Sequence, residues 1–70
     1  MLNIGDTVLW RGTFGSDAPE KAVIETIDIN CVNKDGDQVD MVQWSEVNNR
    51  SVMVSLTNGH WAYGTQIEQI

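Results

Sequence analysis

Positive charge is scarce in this chain. Of its 70 residues, 4 are Lys or Arg and 10 are Asp or Glu, a formal net charge of −6. Non-specific grip on a phosphate backbone needs clustered Lys and Arg, so this balance argues against a plain nucleic-acid binder. Cysteine is nearly absent too. Cys31 is the one thiol, which excludes an intramolecular disulfide, and no Cys/His set has zinc spacing. A short chain without such staples depends on its apolar core, and a lone cysteine suits a reducing compartment. Long apolar runs are missing, so no membrane span is expected. The opening Met1-Leu2-Asn3-Ile4-Gly5-Asp6 has no basic region leading into an apolar stretch, so it does not read as a signal peptide. The expected location is therefore the cytoplasm. Length works against an enzyme with its own deep pocket, because a chain of this size buries only about 60% of its unfolded surface. One domain over residues 1–70 is expected.

What is present argues for a folded β protein. Apolar residues make up 41% of the chain and there are three tryptophans, too large an apolar payload for disorder. β-Branched residues are frequent, and no segment holds a 3.6-residue apolar period over three turns. The pattern is one of short strands between turn signals, which predicts an all-β barrel or sandwich. A first strand is expected over Thr7–Trp10, launched by Gly5-Asp6. The stretch from Arg11 to Glu20 holds Gly12, Gly15, Ser16, Asp17 and Pro19 and reads as a long loop carrying Phe14.

The second strand, about Lys21 to Cys31, alternates out of phase with itself. Ala22 and Ile24 share one face, whereas Ile27, Ile29 and Cys31 share the other. One extra residue near Glu25-Thr26 restores a common side, so a β-bulge or sharp bend is predicted there, as a small barrel needs to turn its corner. Asn33-Lys34-Asp35-Gly36-Asp37 reads as a polar turn. A third strand follows over Gln38–Trp44, with Val39 and Met41 on one face and Asp40, Val42 and Trp44 on the other. Ser45 to Arg50 reads as a connection.

Ser51 to Thr57 alternates cleanly with Val52, Val54 and Leu56 inward, and Asn58-Gly59 suits a two-residue type I′ turn. That turn sets Leu56 opposite Trp61 and Val54 opposite Tyr63, so both aromatics are predicted to face the core. His60 and Ala62 are then predicted to face out. One tight helical turn at Gln66-Ile67 and a closing strand over Glu68-Gln69-Ile70 complete the reading.

Strand, long loop, bent strand, strand, Asn-Gly hairpin, short turn and closing strand is an order that resembles the SH3-like small β-barrel, in its Tudor and KOW branch. The residues that carry the likeness are Ile4-Gly5-Asp6-Thr7-Val8-Leu9-Trp10 and the block from Leu56 to Ile67. The second block also resembles the C-terminal half of small uncharacterised bacteriophage proteins. The resemblance implies one five-stranded barrel and a binding module more than a catalyst. It also implies a basic face in RNA-binding relatives, from which this acidic chain departs.

Catalytic constellations are wanting. His60 stands alone, no base is expected beside Cys31, and Gly12 and Gly15 lack the Lys-Ser/Thr that a phosphate loop requires. An EF-hand alignment on Gly36 puts Cys31 and Val42 where ligands belong, and it fails. No enzyme activity, cofactor or metal is expected.

Candidate partner-binding residues are Arg11, Phe14, Trp10 and Trp44, with Phe14 as the leading surface anchor. In Tudor-like barrels, aromatics at strand ends can cage a methylated cation, but here Trp61 and Tyr63 read as core. Asp28, Asp35, Asp37 and Asp40 flank one turn and form a candidate acidic patch, set against the plainer reading of a solvated face. The leading expectation is a non-catalytic protein-interaction module, phage- or prophage-encoded, acting in the host cytoplasm and docking through the Arg11–Glu20 loop and a strand edge. The alternatives are an acidic inhibitor of a nucleic-acid or defence enzyme, a nucleic-acid-binding barrel using Arg11, Lys21, Lys34 and Arg50, and a structural homo-oligomer.

Overall fold

A computed structural model of the chain describes residues 1–12, 17–31, 36–49 and 51–70. Among these, the elements in order are β1 (Leu2–Asn3), β2 (Thr7–Trp10), β3 (Glu20–Ile29), β4 (Asp37–Val39), β5 (Met41–Val42), a one-turn helix α1 (Trp44–Val47), β6 (Met53–Leu56), β7 (Trp61–Tyr63), a 3-10 turn (Gly64–Gln66) and β8 (Ile67–Gln69). The protein is mostly β, as its composition predicts.

β3 is the spine. Its first half pairs with β2 (Val8↔Ala22) and its second half with β4 (Ile27↔Val39), while β6 runs along its other side (Ile27↔Val54). The β3/β6 register shifts between Ile24 and Thr26, where the broken alternation predicts a bulge. The shift puts Ala22, Ile24 and Ile27 all on the buried side. The polar turn expected around Asn33–Asp37 lies mostly outside the described residues; its last two residues, Gly36 and Asp37, lead into β4.

A second break, at Asp40, is one that the sequence reading missed. The strand expected over Gln38–Trp44 is two short strands. β4 pairs with β3, and β5 pairs with β1 (Leu2↔Val42). The Ile4 N–H donates to the Asp40 carbonyl at 3.2 Å, marking the hand-over from one partner to the next. Because a residue is spent at the bend, Val39 and Val42 both turn toward the core and Met41 is exposed, against the expected pairing of Val39 with Met41. Trp44 belongs to α1, not to a strand.

The core is Leu2, Val8, Trp10, Ala22, Ile24, Ile27, Val42, Val47, Val54, Leu56, Ala62 and Ile67. Trp10 is 8% exposed, and its indole Nε1 is buried without a hydrogen-bond partner among the described residues. The main path of the sheet runs β7-β6-β3-β2-β8, so the described ladders leave β7 and β8 as edges and close no ring.

The C-terminal segment is tied back by one side chain. Gln66, 9% exposed, accepts from the Tyr63 N–H at 3.0 Å and donates from Nε2 to the Arg11 carbonyl at 3.1 Å. The Arg11 N–H donates to the Gln66 carbonyl at 2.9 Å, so β2 and β8 are joined from the 3-10 turn onward. Gly64 makes this geometry feasible: a Cβ there would overlap the Val47 carbonyl oxygen. The expected helical turn and closing strand are thus present, one or two residues earlier than predicted.

Candidate functional site: an aromatic and acidic sheet face

The hairpin between β6 and β7 decides what the protein shows to its surroundings. Its register is Met53↔Tyr63, Val54↔Ala62 and Ser55↔Trp61, one residue away from the expected one. The loop has three residues, Thr57-Asn58-Gly59, and not two. The Gly59 N–H donates to the Leu56 carbonyl at 3.2 Å, and the Leu56 N–H donates to the His60 carbonyl at 2.8 Å. Gly59 sits at φ +88°, while among the described residues the only non-glycine at positive φ is Asn30, at 60°. A type I′ turn needs positive φ at both central residues, and Asn58 does not supply it. Asn58 instead accepts the His60 N–H on its Oδ1 at 3.0 Å.

A one-residue change of register turns every side chain over. Ala62, expected outside, is 0% exposed against Val54. Trp61, expected in the core, is 53% exposed, and Tyr63 is half-buried beside it. Their rings meet edge to face, with centroids 5.3 Å apart and planes at 87°. His60 is exposed as expected, yet it is not isolated: its ring lies 4.9 Å from that of Trp10. The sequence held a signal for this arrangement. In Trp-Ala-Tyr, hydrophobicity cannot tell which parity faces inward, and Thr57-Asn58-Gly59 fits a three-residue loop ending in a left-handed glycine as well as Asn-Gly fits a two-residue one.

Directly opposed residues share a face, so the outer surface can be read across the strands. One row is Tyr63, Met53, Asp28 and Gln38; the next is Trp61, Ser55 and Thr26. Glu25 at the bulge and Asp40 at the bend are exposed nearby. None of β4, β6, β7 and the Thr26–Asp28 part of β3 carries a Lys or Arg. The described Lys and Arg residues lie outside these strand segments. Arg11 follows β2 with its Nε 3.6 Å from Glu68, and Lys21 pairs opposite Leu9.

The sequence-predicted residues are therefore scattered. Asp28 and Asp40 lie on or beside the aromatic face. Asp37 pairs opposite Ile29, on the other parity, and accepts from Asn30 Nδ2 at 3.2 Å. Asp35 and Phe14 lie outside the described residues, as do Lys34 and Arg50. Trp10 is a core residue whose ring is covered. Trp44 is half-buried and packs against the core from α1. Cys31 is half-buried, with its Sγ 3.7 Å from the Ile29 carbonyl.

Among the described residues, two concavities flank α1. One, of about 400 Å³, has Ile29, Val42 and Val52 with Asn30, Ser45 and Glu46 in its lining. The other, of about 300 Å³, lies between Trp44 and Val47 of α1 and Ile67 and Gln69 of β8. Among the described residues no three His, Cys, Asp or Glu side chains are grouped to hold a metal ion. No helix among them is long and apolar enough to cross a membrane. The chain matches no protein-family model, no curated protein and no solved structure.

Proposed function

We propose that this protein is a non-catalytic interaction module, built as an open SH3-like barrel, that docks a basic protein partner on the outer face of β7, β6 and β3. The observation that carries the reading is Trp61. A chain of this size has few large apolar side chains for its core, and it leaves 53% of this one uncovered, braced against Tyr63. Exposed tryptophan and tyrosine are the side chains most often found at the energetic centre of protein interfaces. Beside them the face offers Asp28 and Asp40 and, among the described residues, no Lys or Arg, so its electrostatic complement is a Lys- or Arg-rich surface. The docking surface thus shifts from the Arg11–Glu20 loop of the sequence reading to the hairpin.

The same acids favour one more specific form of the proposal, an inhibitor that occupies the basic channel of a nucleic-acid enzyme. Affinity capture with the tagged protein tests both. Wild type is expected to retain a basic partner that Trp61→Ser loses, with both proteins melting at similar temperatures. Capture should weaken steeply with salt. Equal retention by Trp61→Ser would refute the assignment of this face. A retained partner with nuclease or polymerase activity, inhibited on binding, would select the inhibitor form.

A further inference from the structure

The other edge of the sheet carries a separate inference, independent of the Trp61 face. In an antiparallel pair, opposed residues alternate between bonding each other and directing their main-chain groups away. The Arg11 N–H bonds the Gln66 carbonyl, and the register continues Trp10↔Ile67, Leu9↔Glu68, Val8↔Gln69. Glu68 is therefore a bonded position. Ile67 and Gln69 point their main-chain groups off the sheet, toward the gap of about 300 Å³ that separates β8 from α1. The Ile67 N–H is satisfied by the Gly64 carbonyl. Among the described residues, that leaves the Ile67 carbonyl and both main-chain groups of Gln69 as an unpaired strand template. On β7 the outward Tyr63 N–H is likewise capped, by Gln66 Oε1.

Trp44, half-buried on the α1 side, is the gap's apolar contact surface; Val47 and Ile67 line it but are almost wholly buried, and Asn48, Thr65 and Gln69 give it a polar rim. Neither α1 nor β8 contains a Lys or Arg, and the carboxylate in the lining of the gap is Glu68. Arg11 reaches Glu68 from the β2 side, at 3.6 Å. A second copy of the chain is a poor occupant. The two-fold pairing that uses all the free groups sets Ile67 opposite Gln69 of the copy and hence Glu68 opposite itself, a like-charge pair at the closest approach of the ladder, between chains of net charge −6.

We propose that the seam between β8 and α1 receives an extended, basic peptide segment of a partner protein. The segment adds as a strand to β8 with one apolar side chain against Trp44. Main-chain bonds would supply affinity, and the Trp44 pocket would supply selectivity.

The test uses the full chain and an acetylated, amidated peptide, Lys-Thr-Val-Lys-Val-Thr-Lys, in calorimetry and amide hydrogen exchange. Saturable binding that slows exchange at Gln69 is expected. N-methylation of alternate peptide amides should weaken binding by about tenfold, since each blocked bond is worth up to that factor. Gln69→Pro should weaken it similarly, and replacing the peptide lysines with glutamates should abolish it. Trp61→Ser should leave it unchanged, which separates this site from the hairpin face. Absence of binding at millimolar peptide, unchanged exchange at Gln69, or equal affinity for the N-methylated peptide would overturn the proposal. So would concentration-dependent dimerisation that protects Gln69 without peptide, because the occupant would then be a second copy.

Discussion

Replacing Gln66 by alanine removes one side chain and breaks two connections. Gln66 lies at the join of β2, the 3-10 turn and β8, and its amide uses both ends: Oε1 takes the Tyr63 N–H at 3.0 Å and Nε2 serves the Arg11 carbonyl at 3.1 Å. The site is part-buried and Gln66 itself is 9% exposed, so water does not freely replace the lost groups. A buried donor or acceptor left unpaired costs about 1–3 kcal/mol. One donor and one acceptor, with partial rehydration, give a loss of about 2–4 kcal/mol. That is a large share of the roughly 4–10 kcal/mol expected for a chain of this length. The melting temperature should fall by about 8–32 °C, taking about 4–8 °C per kcal/mol for a small domain. Circular dichroism with urea titration measures it. Gln66→Glu is the companion variant. Its carboxylate still accepts from Tyr63 but cannot donate to Arg11 until it is protonated, so its deficit should shrink as pH falls toward about 4. An alanine variant that loses under about 0.5 kcal/mol would refute this reasoning, because surface substitutions typically fall within that range. A glutamate variant whose deficit does not change with pH would refute it as well.

Other expectations follow from the same contacts. Gly64→Ala should cost more than about 3 kcal/mol or prevent folding, because its Cβ meets the backbone of Val47, whereas Gly59→Ala, with open space but φ +88°, should cost only about 1 kcal/mol; urea unfolding of the two variants gives the comparison. Trp10→Ala should lose about 3–5 kcal/mol as a buried aromatic, while Trp61→Ser should stay within about 1 kcal/mol, the scale of one aromatic pair. In proteins that retain single tryptophans, acrylamide should quench Trp61 readily and Trp10 poorly; the opposite order would restore the two-residue hairpin. Asn58→Ala removes the acceptor for the His60 N–H and should destabilise the hairpin by about 1 kcal/mol, read by the same titration.

Local patterning made much of the fold legible. The strands at Thr7–Trp10 and from Lys21, the bulge after Ile24, the inward Val52, Val54 and Leu56, and the closing turn and strand all follow from alternation and turn chemistry. These act over a few residues, so a sequence displays them directly. The charge imbalance is also a property of the sequence, and it holds wherever the acids lie.

Tertiary structure decided the rest. The break at Asp40 leaves little local trace, because it exists to exchange β3 for β1 as a partner, and neither strand is near it in the chain. The hairpin register turned on one φ angle at Asn58, and two loop lengths suited the same residues. The competition was settled by what the core could hold: the small Ala62 fits against Val54, and the larger Trp61 and Tyr63 pass to the outside. That single choice moved the aromatic side chains from the fold to the surface. The acids were divided for a similar reason. Asp28 and Asp37 flank one turn in the chain, but register places them on opposite faces. Sequence determined which residues this protein has to work with, because composition and short-range pattern need no partner. Which of them meet another molecule was set by strand pairing between distant segments, because one residue of register exchanges the inside of a sheet for its outside.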